Sequence, residues 1–139
     1  MITKDNYFAE LKELLENSFY WKNLGITFDC LEEGFARVKL KVDDDVINYN
    51  NTLHGGAIAS LMDISISSTL RSMRIEQMTT VSLTTNFINP GKRGKTVYAT
   101  STVVSSKKRM QYLQSTVVDE DGMIIANGTA VFLLLQNKP

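Results

Sequence analysis

A chain of 139 residues with 43% hydrophobic side chains can bury a core of its own, and residues 1–139 read as a single domain. Fifteen Lys and Arg offset fifteen Asp and Glu, so no net field draws the protein to nucleic acid or to an anionic membrane. One cysteine and one histidine exclude an internal disulfide, a Cys/His zinc site and any mechanism that needs two histidines, so neither metal nor cofactor is expected.

The opening "MITKDNYFAELKELLEN" mixes charge and apolar groups too evenly for a signal peptide. No later run approaches the roughly 18 apolar residues of a membrane span, and a cytoplasmic location is expected. Within "DNYFAELKELLENSF", Phe8, Leu11, Leu14, Leu15 and Phe19 recur at three- and four-residue steps, which predicts one short amphipathic helix serving as a lid or clasp. From Phe35, "FARVKLKVD" alternates apolar and charged residues after a turn at Glu33-Gly34, the pattern of a strand with one buried face.

From Gly55 to about Met73, apolar residues cover most of a helical circumference, and Asp63 is the only charge between His54 and Arg71. This predicts a mostly buried central helix, whose Ala57, Ala59, Ser60, Ser65, Ser67 and Ser68 allow close approach of neighbouring backbone. Four β-rich runs follow: "TTVSLTTNFIN", "GKTVYATSTVVS", "MQYLQSTVVDE" and "MIIANGTAVFLLLQ". Their links "PGKRG", "SKKR" and "DEDG" are short enough for each run to pair with the next. The fold class is α+β, an antiparallel sheet of five to six strands covering one long helix.

The stretch "NNTLHGGAIASLMDI" holds the sole histidine, a Gly-Gly pair and the isolated aspartate. Glycines in the first turn leave backbone N–H groups of Gly55 and Gly56 unpaired and unshielded, suited to a carbonyl oxygen that is gaining charge. The same pair also suits a tight turn into a helix. Asp63 lies seven residues past Gly56, about 10 Å along the axis and near the same azimuth. One scissile carbonyl cannot touch both, so a shared reaction requires a second copy running antiparallel, a two-fold dimer. His54, nine residues before Asp63, falls on the opposite face, which disfavours a within-chain His-Asp couple.

These residues resemble the hotdog-fold acyl-CoA thioesterases, particularly the branch similar to the phenylacetic-acid-pathway enzymes. The resemblance runs through "FYWKNLGITF", the signature "NYNNTLHGGAIASLMD", and the strands from "VSLTTNFINPGKRG" to "MIIANGTAVF". It implies a sheet wrapped around the central helix, a homodimer or dimer of dimers, and hydrolysis of an acyl-CoA to a carboxylate and CoA. It further implies that Asp63 is base or nucleophile, that Asn48 lies near the thioester or its attacking water, that His54 orients the oxyanion-hole turn or the thioester, and that the Ser82 hydroxyl assists. The plain alternatives are a turn asparagine for Asn48, an ordinary strand serine for Ser82, a capping histidine for His54 and, for Asp63, a structural carboxylate bonded to neighbouring serines or a helix end. Relatives often carry glycine where this chain has Asn51, the residue type that best tolerates positive φ after glycine.

Two basic clusters are available for the coenzyme phosphates: Lys92, Arg93 and Lys95, and Lys107, Lys108 and Arg109. Both also suit solvated turns; by resemblance the second approaches the nucleotide. Met62, Met73, Met78 and Phe87 are available to line an acyl tunnel or to fill the core. A module that binds acyl-CoA without cleaving it is the alternative function. The dehydratase branch is disfavoured because no proline flanks His54, the only prolines being Pro90 and Pro139.

Overall fold

The computed structural model describes residues 6–137. Helices α1 (Tyr7–Glu16) and α2 (Phe19–Leu24) precede strands β1 (Thr27–Glu32) and β2 (Phe35–Lys41). A 3-10 turn, Asp44–Val46, leads to helix α3 (Gly55–Ser72), and strands β3 (Met78–Phe87), β4 (Thr96–Lys107), β5 (Met110–Asp119) and β6 (Ile124–Leu134) complete the chain. Among the described residues no helix is long and apolar enough to cross a membrane.

Two helices stand where the sequence predicts one. The Asn17 side-chain amide donates to the Glu13 carbonyl and the Ser18 hydroxyl to the Leu15 carbonyl, so polar side chains take up the last carbonyls of α1 and end it. Phe19 therefore starts a new helix and points to solvent, 87% exposed, while Tyr7 and Leu11 carry the buried face. The clasp is real: the Tyr7 hydroxyl donates to the Arg71 carbonyl at the end of α3, and the Arg74 guanidinium lies 4.2 Å over the Tyr7 ring.

All strand pairs are antiparallel, in the order β1-β2-β4-β5-β6-β3. Strand β1 escaped sequence reading because a bulge between Phe28 and Cys30 puts its buried Phe28 and Leu31 three residues apart instead of two. The expectation that "PGKRG" joins adjacent strands is wrong. Residues 88–95 cross the sheet end, held by Ile88 N–H to the Ile125 carbonyl, Leu53 N–H to the Gly91 carbonyl and Val42 N–H to the Lys95 carbonyl. Eight residues are enough to cover three strand spacings, past β5 and β6, so a short link does not force adjacency. Strand β3 becomes an edge strand beside β6.

Helix α3 touches every strand. It comes close because Ala36, Ser101, Ser115 and Gly128 pair successively across the sheet beneath it. From the helix, the Ser65 hydroxyl lies 2.9 Å from that of Ser115, and the Thr69 hydroxyl donates to the Ser101 carbonyl. A Cβ on Gly128 would run into the Thr84 carbonyl oxygen and come within 2.9 Å of Met62 Cε, so only glycine fits. Met62 is wholly buried, and Met73 and Met78 pack on a second apolar cluster around Leu70 and Phe132; all three are core rather than tunnel.

Candidate active site

The loop before α3 is folded around one side chain. Asn48 Oδ1 accepts from the N–H groups of Asn50 and Thr52 at 2.9 and 3.1 Å, and Asn48 Nδ2 donates to the Thr52 hydroxyl. Asn51 holds φ of +60°, the left-handed conformation its residue type tolerates. This turn delivers His54 as the N-cap of α3: its backbone is extended and its Nδ1 accepts the Gly56 N–H at 2.8 Å. The bond requires a lone pair on Nδ1, so neutral His54 carries its proton on Nε2. A Cβ at position 56 would sit 3.1 Å from that Nδ1, which explains the second glycine.

The sequence expectation of two free amides is thereby halved. Gly56 N–H is taken by the histidine, whereas Gly55 N–H meets no acceptor among the described residues. It lies at the positive end of an 18-residue helix, an electrostatically favourable place for an oxyanion. Asn48, Gly55, Ile58, Phe87 and Ile88 line a groove of about 290 Å³ there, with the Phe87 ring against Gly55.

Asp63, half-buried on α3, accepts from the Thr80 hydroxyl at 2.8 Å. Thr80 is the functional candidate that sequence reading missed. The resemblance points instead to Ser82, two residues further along a strand that should alternate, but a bulge between Thr80 and Ser82 breaks the alternation. Thr80 stands opposite buried Phe132 and faces the helix; Ser82 stands opposite Val131, whose partner on β5 is exposed Tyr112, on the outer face. No hydroxyl from Ser82 reaches Asp63. The only hint in sequence was the hydroxyl-rich "MTTVSLTT", which does not say which member faces inward.

Gly55 and Asp63 remain about 12 Å apart along the helix, yet both border β3: Gly55 beside Phe87 and Asp63 beside Thr80. The far edge of β3 pairs with no strand among the described residues. On the basic clusters the structure discriminates. Arg93 pairs with Asp44 and Lys95 with Asp121, whereas Lys107, Lys108 and Arg109 have no ion-pair partner among the described residues. These three, with Met110 and Asn137, line a groove of about 590 Å³.

A curved antiparallel sheet around one helix, with a glycine-rich helix start and a carboxylate on the helix's open face, defines a hotdog-fold protein. The sequence pattern described as the thioesterase superfamily matches residues 50–126, more than half of the chain, and the chain belongs to that family. It is similar to the acyl-coenzyme A thioesterase PaaI of Escherichia coli, 28% identical over 113 residues that cover 81% of this chain and 80% of that protein. The solved structure of the E. coli PaaI protein superposes with a TM-score of 0.85 at 24% identity, covering 94% of each chain, a likeness of fold. A hypothetical thioesterase from Streptococcus pneumoniae, solved with coenzyme A, superposes at 0.77 with 17% identity over 82% of this chain and 91% of that one.

Proposed function

We propose that the protein hydrolyses acyl-CoA thioesters to a carboxylic acid and free CoA in a site shared across a two-fold dimer. The carrying observation is the pair of half-sites on β3: a free Gly55 amide at one end and a Thr80-held Asp63 at the other, both beside an unpaired strand edge. Antiparallel pairing of β3 with its own copy about a two-fold near Leu83 and Thr84 sets Thr80 opposite Phe87, and so brings Asp63 of one subunit to Gly55 of the other. Val81 and Phe87, 56% and 58% exposed on that strand, would be covered by the same contact.

In this site the thioester carbonyl accepts from Gly55 N–H, and charge that builds on the oxygen is held by the amide and the helix dipole. Asp63 acts by one of two routes, taking a proton from the attacking water or adding to the carbonyl carbon itself. In either route the C–S bond breaks, the sulfur leaves as CoA thiolate and takes up a proton, and water supplies the new carboxylate oxygen. Thr80 orients the Asp63 carboxylate. His54 fixes the direction of the first helical turn, and Asn48 shapes the loop beside it. Lys107, Lys108 and Arg109, free of competing carboxylates, meet the coenzyme phosphates. Two strand widths and about three residues separate their turn from Thr80, roughly 13 Å, so they lie on the subunit that supplies Asp63.

Release of free thiol from a panel of acyl-CoAs tests this reading, with Asp63→Asn and Gly55→Pro as controls. Proline suits the first helical position, and His54 already has the extended backbone (φ −62°, ψ 136°) that proline demands of its predecessor. The variant therefore deletes the one N–H while keeping the helix. Each variant should lose about 10²- to 10³-fold in kcat. Binding of acyl-CoA by the unmodified protein without thiol release would favour the non-catalytic module instead.

A further inference from the structure

A second groove, also about 290 Å³, flanks the other side of the α3 start; its lining includes Tyr20, Leu24, Val46, Ile47, Ala57 and Ser60. Tyr20 reaches across it from α2, its hydroxyl oxygen 2.6 Å from that of Ser60. Asp45, His54 and Gly56 complete the lining, and the chemistry assigned above uses only that edge of it, where His54 caps the helix at Gly56. Resting on the proposed thioester hydrolysis, we infer that it receives the acyl group and that Tyr20 sets the acyl length the enzyme accepts.

A carbonyl carbon bound at Gly55 carries two substituents, and two grooves diverge from the helix start. The groove that holds Gly55, Phe87 and Ile88 lies along the edge strand, where the sulfur arm must leave toward the basic turn of the other subunit. The acyl carbon chain then passes Gly56 into the groove under Tyr20, whose Leu24, Val46, Ile47 and Ala57 offer apolar surface. Gly56, Ser60 and Asp63 share the open face of α3 at successive turns. With Gly55 of each subunit meeting Asp63 of the other, the two-fold axis crosses α3 midway between them, at residue 59, next to Ser60. Ser60 and the Tyr20 bonded to it therefore close the groove at the axis. From Gly56 to Ser60 the helix advances about 6 Å, and the groove is at the small end of the ~300–1,000 Å³ usual for ligand sites. That space suits a short acyl chain or a single aromatic ring lying against Tyr20.

Thiol release from acetyl-, hexanoyl-, phenylacetyl- and dodecanoyl-CoA decides the matter for wild type, Tyr20→Ala and Tyr20→Trp, each first shown by circular dichroism and size-exclusion chromatography to keep fold and assembly. Wild type should favour hexanoyl or phenylacetyl over dodecanoyl. Tyr20→Ala should raise the dodecanoyl-to-hexanoyl ratio of kcat/KM at least tenfold, and Tyr20→Trp should lower the hexanoyl-to-acetyl ratio. An active wild type that favours dodecanoyl, or ratios unmoved in both variants, overturns the inference and leaves hydrolysis standing. No thiol release by wild type from any of the four overturns the hydrolytic reading beneath it.

Discussion

Thr80 and Ser82 pose the sharpest question at the scale of single residues, because a strand without a bulge would make them equivalent. The Thr80 hydroxyl donates to Asp63 while Ser82 faces the outer side of the sheet. A hydrogen bond to a charged group contributes about 1.5–3 kcal/mol, so Thr80→Ala should lower kcat about 10- to 100-fold, Thr80→Ser should recover most of it, and Ser82→Ala should stay within about twofold. Steady-state kinetics that reversed this order would place the working hydroxyl on the wrong face. His54 presents a parallel case. As an N-cap it contributes about 1 kcal/mol, so His54→Ala should show that loss in urea unfolding and a weakened kcat, and His54→Asn, another capping residue, should restore stability and activity together. A histidine that moved protons in the reaction would leave the Asn variant stable but as slow as the Ala variant.

Among the elements, α3 is fastened at its far end by α1 and seated at its centre by the small-residue row. The Tyr7 hydroxyl donates to the Arg71 carbonyl. Burial, then the Glu76 carboxylate, holds the phenol above its ordinary range against the opposing pull of Arg74 and Arg71. A folded value raised above the unfolded one adds stability that is complete below the ordinary phenol pKa of about 10 and is lost as pH rises through the folded value. Tyr7→Phe should thus cost about 1 kcal/mol at neutral pH, and the deficit should shrink above about pH 10 as the wild-type phenol ionises. Unfolding curves at neutral and alkaline pH measure both arms. At the centre, Gly128→Ala must push strand backbone or Met62 aside, and overpacking of this kind costs about 1–3 kcal/mol. The same curves should show that loss at neutral pH, with a reduced yield of folded protein if the sheet cannot yield.

For the whole molecule, a shared site makes a prediction that no single-chain enzyme shares. Asp63→Asn and Gly55→Pro homodimers should each be nearly inactive, yet co-refolding equal amounts should restore about a quarter of wild-type activity, because half of the random dimers carry one intact site of two. An inactive mixture containing verified heterodimers would show that both groups act within one chain. The order of strands is what gives this prediction its form, since β3 at the sheet edge places both half-sites where a second copy can complete them.

The sequence alone determined much of this: the α+β class, the extent of α3 to within a residue, the positions of the four later strands, and the two-turn gap between the glycines and Asp63. These follow from local periodicity, which each residue carries with it. Only the tertiary structure decided that β3 lies three strands from β4, that Thr80 rather than Ser82 faces Asp63, and that His54 occupies the Gly56 amide and leaves Gly55 free. The first two turn on a non-local pairing and a one-residue bulge, and the third on the side-chain conformation of a residue two positions away. A bulge inverts every later side chain on its strand while leaving the composition of that strand unchanged.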